Sequence, residues 1–107
     1  MNNIHANQLN LAVSESPHPV LVDFFSKSCM PCTAMMPVLE ELAAAFDGRI
    51  QFVKADATAD DESLKISAEL GIRAVPTLIL FKNATEAARR TGAASKSALA
   101  SWLLENL

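Results

Sequence analysis

Three strongly apolar runs, "VLVDFF" (Val20–Phe25), "IQFVKAD" (residues 50–56) and "PTLILFK" (residues 76–82), are separated by segments with a different period. Near-continuous apolar character is what a strand carries when both faces of its sheet are covered. In residues 32–46, Met35, Leu39, Leu42 and Phe46 recur at spacings of three and four, with Glu40 and Glu41 turned outward, which predicts a helix stopped by Asp47-Gly48. The stretch "TADDESLKISAELG" places acids in a first helical turn and Gly71 at its end. "ANQLNLAVSE" predicts an early helix with Asn7 as its N-cap, ended by "SPHP", and the last helix starts from a Ser95 cap and buries Leu99, Trp102 and Leu103. "TEAARRT" (Thr85–Thr91) is polar enough for an edge strand, although the "KNAT" turn before it lacks the glycine a tight hairpin favours.

Strands alternating with helices imply βαβ units, and the closing pair of strands implies an antiparallel edge. The predicted class is therefore α/β, with a central mixed sheet of four to five strands flanked by helices on both faces. The 107 residues bound this to a single domain over residues 1–107, long enough to bury a core without staples. A net charge of -3 argues against nucleic acid, and Arg89-Arg90 reads as a solvated edge. The amino-terminal "MNNIHANQLNLAVSES" has neither a basic leader nor an apolar run, and no stretch approaches the ~20 apolar residues of a membrane helix. The expectation is a cytoplasmic protein that does not engage membrane. His5 and His18 read as surface residues.

Against that background stands "SKSCMPCTAMMP", which holds the chain's only two cysteines, Cys29 and Cys32. A pair three positions apart constrains the unfolded chain very little, and a reducing compartment disfavours permanent bridges. In open α/β sheets the site lies beyond the carboxyl ends of the strands, and the run Val20–Phe25 points its carboxyl end at these cysteines. Cys29 falls at or just before the first turn of a helix, where unpaired N–H groups and the helix dipole favour a thiolate, the attacking species. Cys32, three residues on and more buried, suits the resolving thiol. Pro31 costs an early helical position no hydrogen bond, and Met30 either offers an apolar lip to a substrate or fills an undemanding position.

A Cys-x-x-Cys beside a βαβ pattern is a moderately specific redox signal. Joined by "VLVDF", "CMPC", Pro37, "FVKAD", "GIRAVPT", "LFKN" and "GAASKSAL" in that order, it makes the chain resemble the thioredoxin family from about Val20 to Leu107. That resemblance implies a thioredoxin fold and a protein-disulfide reductase with no tightly bound cofactor and no metal. Its partners would be disulfide-containing protein substrates and a thioredoxin-reductase-like flavoprotein as electron donor, with the chain acting as a monomer. By position, Asp23 matches the buried aspartate that takes the Cys32 proton, Lys54 the lysine that tunes it, and Pro76 the cis-proline, with Val75 before it offering backbone to a substrate. Gly92 and Ala93 match a substrate loop, and Pro37 the proline that kinks the active-site helix. Met30 and Pro31 occupy the positions between the cysteines that help set redox poise.

The chain departs from the family's Trp-Cys-Gly-Pro-Cys at Ser28, which faces the substrate surface, and at Met30, and Thr33 replaces a lysine. Other readings stand beside the reductase. One is a binding module on the same scaffold, another a more oxidising isomerase or electron relay. A soft-metal site using the thiolates and nearby methionines is a further alternative, without a third strong ligand in view.

Overall fold

A computed structural model describes residues 1–107. Five strands, β1 (Asn2–Ile4), β2 (Val20–Phe25), β3 (Gln51–Asp56), β4 (Thr77–Lys82) and β5 (Thr85–Thr91), form one sheet in the order β1-β3-β2-β4-β5. β1, β3 and β2 run parallel, and β4 and β5 are antiparallel to their neighbours, so the sheet is mixed as its sequence pattern implies. The helices are α1 (Leu9–Glu15), α2 (Met30–Ala45), α3 (Asp61–Glu69) and α4 (Lys96–Glu105), with a 3₁₀ turn at Ala6–Gln8 before α1.

β2 lies at the centre, and its side chains alternate between two cores. Leu21 packs with Met35, Leu39 and Leu42 of α2 and Leu99 and Leu103 of α4. Val20, Val22 and Phe24 pack on the opposite face with Leu9 and Val13 of α1. Each fully buried side chain of this size stabilises the fold by roughly 1.5–3 kcal/mol before conformational entropy is counted. Trp102 is only half-buried and packs against the edge of the α2/α4 cluster, short of the core position its sequence spacing implies.

Several boundaries differ from the sequence expectation, each for a local reason. His5, not Asn7, caps the first turn: its Nδ1 accepts the Asn7 N–H at 3.0 Å, while the Gln8 side chain takes the His5 N–H at 2.8 Å. α2 begins at Met30, two residues before its apolar period does, with Cys29 as its cap just ahead of the first turn, where the sequence places it. The "KNAT" hairpin closes without glycine by holding both Asn83 (φ 52°) and Ala84 (φ 62°) in the left-handed region. No helix is long and apolar enough to cross a membrane.

Strand direction gathers the loops of interest at one edge. The carboxyl ends of β1, β2, β3 and β5 and the amino end of antiparallel β4 all meet there. The cysteines follow β2, Pro76 precedes β4 and Gly92 follows β5.

Candidate active site

At this edge Cys29 and Cys32 are joined in a disulfide, with Cα atoms 5.2 Å apart. Cys29 adopts extended backbone (φ -85°, ψ 105°), and its Sγ accepts the Cys32 N–H at 3.1 Å. The sulfur thus takes up one of the donors that a helix start leaves unpaired, at the positive end of a 16-residue helix. Cys32 is 1% exposed on the inward stripe of α2, ahead of Met35 and Leu39, whereas Cys29 is half-buried. One sulfur is thereby offered to a partner and the other withheld.

The other expected residues surround this pair. Val75–Pro76 is a cis peptide bond, and the Val75 carbonyl oxygen lies 3.8 Å from the Cys29 Sγ. In the dithiol, the Cys29 S–H has that oxygen within reach as an acceptor. Thr77 holds the loop by donating its hydroxyl to the Ala74 carbonyl at 2.6 Å. Gly92, at φ 93°, donates its N–H to the Pro76 carbonyl at 2.8 Å, and Ala93 lies across a shallow hollow from Pro31 and Ala34. Ser28 and Met30 are exposed and line a second hollow with Cys29. Every expected residue except Asp23 and Lys54 therefore lies around the sulfur pair.

Those two sit deeper. Asp23 shares the α2 side of the sheet with Leu21, in register with Lys54 on β3 and Leu78 on β4. It is 1% exposed, and neither carboxylate oxygen has a hydrogen-bond partner. Loss of water raises its pKa from 3.8 to about 6, and the charge of Lys54 opposes that rise without cancelling it. The Lys54 ammonium in turn rests over the Phe25 ring, 5.8 Å from its centroid. The place of Lys54 beside Asp23 is the one the family resemblance implies; the part Phe25 plays had no signal in the sequence.

A thioredoxin family model matches residues 1–105. The chain belongs to the thioredoxin family. It is 33% identical over 106 residues to a thioredoxin of Rickettsia felis, covering 99% of this chain and 98% of that one. Against thioredoxin C-2 of Corynebacterium nephridii it is 38% identical over 95 residues, 89% of this chain and 85% of the relative. A thioredoxin of Haemophilus influenzae is 35% identical over 106 residues, covering 97% and 96% respectively. As a thioredoxin-family protein with its cysteine pair at disulfide distance, the chain is a protein thiol–disulfide oxidoreductase acting on disulfide-containing substrates.

Sequence reasoning missed two features near this edge. His5, expected at the open surface, is half-buried, and its Nε2 lies 2.7 Å from Asp60 Oδ2 and 3.3 Å from Ser63 Oγ. Leu64 and Arg73 border a groove that ends at Val75. An apolar side chain off the buried stripe of α3, whose inward residues are Ser63 and Ser67, was the available signal for that groove.

Proposed function

We propose that the chain, as a single domain and a cytoplasmic monomer, reduces protein disulfides with Cys29 as nucleophile and Cys32 as resolving thiol. The observation that carries the assignment is the unequal exposure of two sulfurs at one helix start. The Cys29 thiolate attacks one sulfur of the substrate disulfide, and the other substrate sulfur leaves and takes a proton. Cys32 then gives its proton to Asp23, whose carboxylate is raised toward neutrality by burial and is thus basic enough to accept it. The Cys32 thiolate attacks Cys29, the second substrate thiol departs, and Cys29–Cys32 is oxidised. Two electrons pass to the substrate.

Lys54 sets the basicity of Asp23, and Met30 and Pro31 shape the poise of the couple. Ser28, Val75, Pro76, Gly92 and Ala93 form the surface that substrate meets. A flavoprotein of the thioredoxin-reductase type returns the electrons.

The test combines two variants. Cys32→Ser accumulates a mixed disulfide between Cys29 and the substrate, read by intact-protein mass. Asp23→Asn retains the first step but slows resolution at pH 7 by about a hundredfold, the lower range for loss of a general base. A Cys29→Ser variant that traps the substrate on Cys32 while Cys32→Ser traps none would reverse the two sulfur assignments, and unchanged resolution in Asp23→Asn would remove Asp23 from the reaction.

A further inference from the structure

Two hollows lie near the sulfur pair, one lined by Cys29 itself and the other ending at Val75. One, of about 330 Å³, runs beside Lys27, Ser28, Cys29 and Met30. The other, of about 230 Å³, runs between α3 and the cis-proline loop, past Leu64, Ala68, Ile72, Arg73 and Val75. The Val75 carbonyl oxygen, at the end of the second, lies 3.8 Å from the Cys29 Sγ in the first. Each hollow has one large exposed apolar wall. Met30 is 83% exposed, the most of any large hydrophobic side chain in the protein, and Leu64 is 49% exposed. Neither contributes to a buried core cluster, so folding does not account for their apolar character.

Each of these hollows carries a single charged side chain. The chain carries net -3, yet the single charged side chain in each hollow is a cation, Lys27 in one and Arg73 in the other. Neither makes an ion pair, as is true of every Lys and Arg side chain except Arg89 and Lys96, so each is free to meet an acidic group. Unpaired cations flanking two apolar walls complement an extended segment that is acidic and apolar together.

We infer that Met30 and Leu64 select the substrate: an extended peptide with apolar side chains on both sides of its half-cystine and an acidic residue nearby. This rests on the exchange reaction proposed above and names its substrate class. The apolar neighbours enter the two hollows while Cys29, between them, meets the disulfide. Lys27 and Arg73 draw in the acidic residue.

The pre-reduced protein, mixed with excess disulfide under single-turnover conditions, needs no reductase for the measurement. Peptide disulfides with Leu on both sides of the half-cystine are compared with the same peptides carrying Ser. The rate ratio expected is about tenfold, what one well-buried apolar side chain supplies, and it falls toward one in the Met30→Ser/Leu64→Ser double variant. Each protein is read as its own ratio, so a general change in thiol reactivity cancels. A ratio near one in the unaltered protein, or a ratio that survives the double variant, overturns the inference.

A peptide disulfide carrying Glu near the half-cystine reacts faster at low salt than the same peptide carrying Lys there, and Lys27→Gln/Arg73→Gln removes that preference. A Lys-bearing peptide that reacts as fast as the Glu-bearing one overturns the acidic part. Failure of the reduced protein to react even with 2-hydroxyethyl disulfide would sink the exchange reaction itself, a result distinguishable from lost selectivity.

Discussion

Asp23, near the carboxyl end of β2, and Asp60, at the start of α3, bring the same carboxyl group into opposite surroundings. Asp60 is exposed and fully engaged: its side chain accepts the Ser63 N–H at 2.8 Å and lies 2.7 Å from His5 Nε2. Those bonds, led by the one to His5, lower its pKa from 3.8 to about 2. Asp23 has no hydrogen bond, and burial raises it to about 6. One carboxylate is held ionised and anchors a helix; the other is kept from ionising easily by burial. Solvation and donors, more than residue type, separate a structural acid from a reactive one.

The largest break in this contrast comes from removing Asp23. A folded-state pKa above the unfolded value favours the protonated native state, so Asp23 costs nothing below pH 3.8 and progressively destabilises as pH rises through 6. At pH 7 the cost is about 3 kcal/mol for a shift of this size. Asp23→Ala is therefore expected to be about 2–3 kcal/mol more stable at pH 7, after a small cavity loss, and slightly less stable than the parent near pH 3, where only the cavity loss remains. Urea titrations at the two pH values check this, and an Asp23→Ala protein that is less stable at pH 7 would refute it.

Lys54→Met should act next in size and in the opposite direction. Without the opposing charge, Asp23 moves further above 6 and stability at neutral pH falls. The change should vanish in an Asp23→Ala background, a double-mutant cycle that isolates the pair.

Asp60→Ala is expected to lower the melting temperature by less than Asp23→Ala raises it, because α3 loses its cap and its tie to His5. The sign with pH is also reversed. A depressed carboxyl pKa stabilises above 3.8 and loses that contribution as pH falls toward about 2. The destabilisation should accordingly be present at pH 7 and fade in strong acid, as thermal melts across that range would report.

His5→Ala gives the smallest effect. The His5 pKa is raised, chiefly by its hydrogen bond to Asp60, so its ionic contribution is complete below 6.5 and is lost as pH rises through the folded value. Melts near pH 5 should show a larger deficit than melts near pH 9.

The contrast also marks what the sequence made legible. β2 and the sulfur pair stand out because six apolar-rich residues end at a Cys-x-x-Cys, and strand direction then places the site. The depth of Asp23 follows from the same run. The Asp60–His5 tie did not show, since histidine is an unusual cap and Asn7 beside it is a common one. β1 has three residues with a single apolar side chain, too little for a period. α3 turns Ser63 and Ser67 inward and Leu64 outward, so its buried face carries no hydrophobic signature. Met30 and Pro31 are both exposed and lie off the apolar stripe, which is why periodicity alone starts α2 two residues late. Ala84 in the left-handed region shows a packed sheet overriding a turn preference, and Ala84→Gly should stabilise the hairpin by about 0.5–1 kcal/mol, measurable by denaturant midpoint.

The most direct measurement is a carbon-13 NMR titration of the aspartate carboxyls in the oxidised protein, which reads both residues in one series of spectra. The account predicts Asp23 titrating near pH 6 while Asp60 is still ionised below pH 3. Midpoints near 4 for both would contradict it, leaving Asp23 an ordinary carboxylate with no special capacity to take the Cys32 proton.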